Sequence, residues 1–363
     1  MPPPIRILAI DGGGVRGLSA LYILRELMAQ VRRQRRYTQS DAPMLDESEP
    51  VKPCQVFDLI CGNSTGGLIA LMLGRLEMVP SFSTQVADKK TVEEAIDQYR
   101  DLSEAVFSSV SPDSRAKFDH TVLEENIKKV IENSPLRLAA NAPLRHDNAA
   151  CRTFVTTTSL RAATGAVLLR SYGTLNDDPS PAEIWEAARA TSAAATYFLP
   201  IRIDNTLYGD GGVISNNPSE EAIAEAFNIW PERSIGCLVS IGTGLEESLK
   251  VPTTQDTTTL ARAIFGVVAP GYTYQLNMAE FCVKAVTSCE KTHRKLSQNP
   301  EKFADEGNYF RLNVPQSMSR IGLEEWQKIE DIIALAKDYM EDGDVKRTKQ
   351  SIARIVLSGP VQS

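Results

Sequence analysis

The stretch Val56 to Gly67, V-F-D-L-I-C-G-N-S-T-G-G, constrains the fold of this chain more than any other. Val56 to Cys61 is a short apolar run rich in strand-forming residues, and from Thr65 the sequence G-G-L-I-A-L-M-L reads as an apolar helix. Ser64 therefore stands at the joint between a buried strand and a helix. A sharp strand-to-helix turn strains its central residue and draws neighbouring backbone so close that only small residues fit two positions away on either side. Gly62 and Gly66 meet that demand. The helix that begins after Ser64 points unpaired N–H groups and the positive end of its dipole at the hydroxyl, which favours alkoxide or oxyanion character there. The five-residue pattern alone would also suit a serine in an ordinary loop. The strand before it and the helix after it point instead to a nucleophile.

A second strand-to-helix joint lies near the N-terminus. Ile5 to Ile10 is an apolar strand that ends in D-G-G-G-V-R-G, Asp11 to Gly17, and apolar residues then recur at helical steps from Leu18 to about Arg33. Such a loop offers several backbone N–H groups at a helix start, a ready anion site. A phosphate-binding Walker loop is excluded because no Lys-Ser/Thr follows the glycines. A dinucleotide fold needs a second strand ending in an acidic residue, where this chain has a helix end and its arginines. A tight structural turn and an oxyanion hole built from the N–H groups of Gly13 and Gly14 remain as readings of the loop.

The remaining pattern alternates strands and helices. Tyr37 to Pro53 is polar and acidic and reads as an insertion. Thr91 to Val106 and Thr121 to Asn133 read as helices, and Thr153 to Ser159 and Ala166 to Tyr172 as strands. Ser180, Pro181 and Glu183 form a capping-box signature for a helix through Ala190. Y-G-D-G-G-V-I-S-N-N-P, Tyr208 to Pro218, puts Asp210 in a glycine turn ahead of another helix start. Ser234 to Ile241 and Tyr309 to Val314 read as strands. Thr257 to Val268, Thr273 to Leu296, Leu323 to Met340 and Val345 to Leu357 read as helices. This alternation predicts a single α/β domain over residues 1–363, with a mostly parallel central sheet and helices on both faces. The motifs fall within residues 5–220, and residues 256–357 form a helical C-terminal part.

Composition narrows the function. A net charge of −7 argues against nucleic acid as the main partner. The R-R-Q-R-R run, Arg32 to Arg36, reads as a solvated helix end. No apolar run is long enough to span a bilayer, and the N-terminus lacks a signal-peptide profile, so a cytoplasmic protein is expected. The six cysteines are scattered and suggest neither a disulfide framework nor a zinc site.

Three motifs, D-G-G-G-V-R-G at Asp11 to Gly17, G-N-S-T-G at Gly62 to Gly66 and D-G-G at Asp210 to Gly212, resemble in order and spacing those of the patatin-like phospholipases. The A-R-A-T-S-A-A-A-T-Y-F run and the N-N-P after D-G-G resemble that family too, and the match extends over roughly Ile5 to Leu357. The family often carries threonine or alanine where Asn63 stands. The resemblance implies a three-layer α/β/α sandwich and a serine acyl hydrolase with Ser64 as nucleophile and Asp210 as its base. It further implies an oxyanion hole from Gly12, Gly13 and Gly14, with Arg16 steadying the loop or meeting a lipid phosphate. Gly17, Gly62, Gly66, Gly211 and Gly212 complete the motifs.

The implied substrate is a phospholipid or other acyl lipid, reached by transient peripheral membrane contact. No metal or other cofactor is required, and no calcium loop pattern occurs. Histidine usage agrees, because His120, His146 and His293 all stand in polar, solvated settings and a serine still needs a base. Because burial must raise the pKa of an aspartate that serves near neutral pH, Asp210 is expected to be shielded. Two rival readings are an α/β-hydrolase-type esterase using Ser64, Asp210 and His293 in that order, and an effector module with additional domains in a longer protein.

Overall fold

Along the strand β1 (Ile5–Ile10) apolar side chains alternate between two cores. Leu8 and Ile10 pack into one, whereas Ile5, Ile7 and Ala9 pack into the other. A strand buried on both faces needs helices above and below it. The computed structural model describes residues 2–38, 50–80, 95–161, 165–174, 181–245, 289–298 and 308–358. On the first face lie α1 (Gly17–Thr38), α2 (Thr65–Ala70), α3 (Ala95–Phe107), α4 (His120–Asn133) and α5 (Ile184–Thr191). The second face is covered by α6 (Ser219–Ile229) and by α7 (Cys289–Gln298), whose Leu296 joins that core. The last two helices, α8 (Ile329–Glu341) and α9 (Gly343–Leu357), return to the first face against α1.

The sheet comprises β1, β2 (Leu59–Asn63), β3 (Arg152–Ser159), β4 (Ala166–Arg170), β5 (Ile201–Ile203), β6 (Thr206–Asp210), β7 (Ile235–Ile241) and β8 (Tyr309–Leu312). The central strands β3, β2, β1, β7 and β8 are parallel, and β4, β5 and β6 pair antiparallel. This is the expected three-layer, mostly parallel arrangement. One detail of register positions the site. β2 pairs with β3 as far as Asn63 opposite Thr156, and β6 pairs with β3 from Asp210 opposite Thr157. β4 occupies the other edge of β3 over the same residues. The C-terminal ends of β2 and β6 therefore abut along one edge of β3, which brings the residue after Asn63 against Asp210.

Several boundaries differ from the sequence reading. The α5 helix starts later than the Ser180–Pro181–Glu183 signature suggests, because Glu183 is itself the N-cap and its backbone N–H is taken by the Glu186 carboxylate at 2.8 Å. Asp210 ends a strand instead of sitting in a free turn. The Leu323 to Met340 helix begins only at Ile329, preceded by a single tight turn at Trp326–Lys328. The helix expected over Thr257 to Val268, and Thr273 to Leu296 before Cys289, lie outside the described residues, as does most of the Tyr37 to Pro53 insertion. Cys54, Cys61, Cys151, Cys237 and Cys289 are free thiols.

The far edge of the sheet is tied to the first glycine motif by a buried ion pair. Arg311 on β8 reaches across β7, donating to Ser240 Oγ at 2.9 Å and to Asp11 Oδ2 at 2.6 Å. Both charged side chains are at most 6% exposed. Removing one partner of such a pair leaves the other charge stranded in the interior. Arg311→Leu is therefore expected to lower unfolding stability by about 3–5 kcal/mol in a urea titration. A loss below about 1 kcal/mol would show that the pair does not fasten this edge.

Candidate active site

Ser64 occupies the bend between β2 and α2 with φ 53° and ψ −126°, a conformation that L-residues rarely adopt. Strain of this kind persists only where the surroundings enforce it. A Cβ on Gly62 would lie 2.0 Å from the Gly66 carbonyl oxygen, and one on Gly66 would lie 2.3 Å from that of Ile10. The Ser64 N–H is held by Thr191 Oγ1 at 2.9 Å, and the Thr191 hydroxyl donates in turn to the Thr156 carbonyl at 2.7 Å. The threonine of the A-R-A-T-S run thus pins the elbow to β3.

The strand ends bring Asp210 to the serine. Ser64 Oγ donates to Asp210 Oδ2 at 2.6 Å, and the Gly212 N–H donates to Oδ1 at 2.7 Å. Asn63 contributes a further side-chain hydrogen bond to the carboxylate. Its amide is oriented by donation to Asn216 Oδ1 at 2.9 Å and by acceptance from Thr156 Oγ1 at 2.8 Å. Gly211 lies against the same amide, since a Cβ there would stand 2.4 Å from Asn63 Oδ1. Asp210 is 5% exposed. Burial pushes its pKa up to about 6, against the hydrogen bonds from Ser64, Gly212 and Asn63 that favour the ionised form.

The glycine loop lies alongside. Gly12 must lack a side chain because a Cβ would approach Ser64 Cβ to 2.8 Å. Its N–H donates to the Asn216 carbonyl at 3.3 Å, and that of Gly13 donates to Thr65 Oγ1 at 3.0 Å. Gly14 has φ +58°, the left-handed region that favours glycine. The N–H groups of Gly14 and of Thr65 meet no protein acceptor among the described residues. Arg16 Nε donates to the Gly13 carbonyl at 3.4 Å, steadying the loop, and Gly17 begins α1.

Gly14, Ser64 and Thr65 line a slot together with Leu68, Leu102, Val106, Phe107 and Phe198. Gly12, Gly13 and Arg16 do not face it. His293 lies elsewhere: its Nδ1 meets Tyr309 Oη at 3.1 Å and Ser297 Oγ at 3.3 Å, in a separate cavity that contains neither Ser64 nor Asp210. Among the described residues no histidine bonds to the serine or the aspartate.

Asn63, Thr65 and Thr191 were not singled out from the sequence as site residues. Asn63 and Thr65 flank the serine in sequence, which was their available signal, whereas Thr191 stands 127 residues away and had only its place in the A-R-A-T-S run. A carboxylate bonds directly to the elbow serine, with no imidazole between them among the described residues. The patatin-like phospholipase model matches residues 8–223, and the chain belongs to that family.

It is 31% identical over 361 residues to calcium-independent phospholipase A2-gamma of Rattus norvegicus, which covers 95% of this chain and 39% of that protein. The Homo sapiens protein of the same name is likewise 31% identical, over 97% of this chain and 40% of its own length. Phospholipase A I of Arabidopsis thaliana is 26% identical over 91% of this chain and 26% of that protein. The chain thus spans well under half the length of these curated relatives.

The raised pKa of Asp210 has two measurable consequences. Activity that needs the ionised carboxylate should fall roughly tenfold per pH unit below about pH 6. Stability moves in the opposite sense. With its folded pKa above the unfolded value, Asp210 stabilises the fold relatively at low pH, and that contribution disappears as pH rises through about 6. Asp210→Asn removes this dependence, so its melting temperature relative to wild type should shift in the variant's favour between pH 4 and pH 8, by the equivalent of up to about 3 kcal/mol. A pH-independent difference would place the titrating group elsewhere.

Proposed function

We propose that the chain is a single catalytic domain that hydrolyses fatty acyl esters of glycerophospholipids or related acyl lipids. The observation that carries this reading is the 2.6 Å hydrogen bond to a buried aspartate from Ser64, which itself lines an apolar slot. An alkyl chain lying along Leu68, Leu102 and Val106 would carry its ester carbonyl to Ser64. Asp210 takes the Ser64 proton as Oγ bonds to the carbonyl carbon, and the carbonyl oxygen becomes an oxyanion. The unengaged N–H groups of Gly14 and Thr65 suit that oxyanion, while Gly12 and Gly13 shape the loop that presents Gly14.

Cleavage of the ester C–O bond then releases the alcohol, which receives the proton from Asp210, and leaves an acyl-enzyme. Water attacks next, giving its proton to Asp210, and release of the fatty acid returns a proton to Ser64. Arg16 supports the loop in this scheme, and contact with a headgroup phosphate is its proposed second role. The members of the family named above as phospholipases support the substrate class.

No helix among the described residues is long and apolar enough to cross a membrane. Access to lipid would be peripheral, through apolar side chains at the slot rim such as Leu323, which is 36% exposed. We propose a cytoplasmic protein with transient membrane association, and further domains are compatible with the partial coverage of its relatives.

The test is product analysis on mixed phospholipid vesicles with calcium chelated. Free fatty acid and lysophospholipid should form, Ser64 should be labelled by a fluorophosphonate, and His293→Ala should keep near-normal turnover. Loss of turnover in a folded His293→Ala protein would instead favour the serine–histidine–acid reading.

A further inference from the structure

Beside the nucleophile is a buried hydroxyl that the scheme above leaves unused. Tyr99, on α3, is 1% exposed, and its Oη donates to the Gly14 carbonyl at 2.8 Å. A carbonyl can only accept, so the phenol proton is committed to it. The phenol oxygen also interacts with the Thr65 hydroxyl, the same group that accepts from the Gly13 N–H. Burial raises the phenol pKa, so Tyr99 remains a donor across the working pH range.

The polar groups of the loop are almost all engaged. The Asp11 N–H donates to the Ile241 carbonyl, and the Gly12 carbonyl accepts from Thr243 Oγ1 at 2.6 Å. The Gly13 carbonyl accepts from the Arg16 N–H at 3.2 Å, and the Val15 N–H donates to the Leu323 carbonyl at 2.7 Å. Tyr99 and Leu323 therefore grip the two ends of the peptide that follows Gly14, and the Gly14 N–H is left over. A glycine in the left-handed region can visit other conformations at little cost, so its peptide planes need such holding. Gly17 is explained by the same contact. A Cβ there would lie 2.7 Å from Tyr99 Oη, so the last glycine of the motif leaves room for the phenol.

We propose that Tyr99 is a positioning residue for acyl transfer, its hydroxyl acting through the Gly14 carbonyl to keep the Gly14 N–H directed at the oxyanion formed on Ser64. This rests on the hydrolase reading. Tyr99→Phe keeps the ring, and hence the slot wall, but removes the donor. Its kcat should fall by about 10- to 100-fold, less than or comparable with deletion of an oxyanion donor. KM should stay within about twofold, because ground-state binding does not use the hydroxyl.

Affinity for an alkyl trifluoromethyl ketone, which forms a tetrahedral oxyanion on the serine, should weaken by the same factor as kcat. A kcat within about twofold of wild type, or a lower kcat with unchanged ketone affinity, would overturn the assignment. If wild-type protein neither hydrolyses acyl esters nor binds the ketone, the hydrolase reading is what fails. The hold of Tyr99 on the loop is then decided by NMR of 15N-glycine-labelled protein. A shifted, faster-exchanging Gly14 amide in Tyr99→Phe supports it, and an unchanged one refutes it.

Discussion

The site depends on two strand ends meeting along one edge of β3. Where β2 stops, opposite Thr156, β6 arrives from the other direction, opposite Thr157. Ser64 and Asp210, 146 residues apart in sequence, are thereby fixed at 2.6 Å by the register of the sheet and not by any local turn. Register in a sheet buried on both faces is strongly specified, because a one-residue slip would exchange the two cores along β1 and β2. The precision of the Ser64–Asp210 contact is thus inherited from ordinary core packing.

Burial of Asp210 links stability to chemistry. An isolated carboxylate in the interior would be costly, yet the hydrogen bonds of Ser64, Gly212 and Asn63 keep its ionised form accessible near neutral pH. The same bonds orient the carboxylate toward the serine. Asn63 extends this order to Thr156 and Asn216, so one side chain ties the elbow, β3 and the segment after Asp210.

The fold class was legible because alternating strands and helices leave few architectures open, and the elbow was legible because steric demands at Gly62 and Gly66 act within one short segment. The expected three-layer sheet is observed. The nearness of Asp210 to Ser64 was reached only through resemblance, since nothing local in D-G-G reports the register of β6. Polar partners such as Thr191 and Tyr99 were illegible for a related reason: a threonine or tyrosine on an amphipathic helix looks the same in sequence whether its hydroxyl meets water or a distant carbonyl. The start of α5 was misplaced because two acidic caps, Glu183 and Glu186, compete with the earlier Ser-Pro signal, and the later pair wins by pairing Glu183 with Pro143 and Glu186 with the helix end.

The central claim is that Ser64 and Asp210 act as one unit with no third member. It is tested most directly by kcat/KM for Ser64→Ala, Asp210→Asn and the double variant on one acyl ester substrate. Groups that serve a single step show strongly non-additive losses. The account predicts that each single change removes most activity and that the double variant is little worse than either. Substantial turnover in Asp210→Asn, or losses that multiply in the double variant, would contradict it.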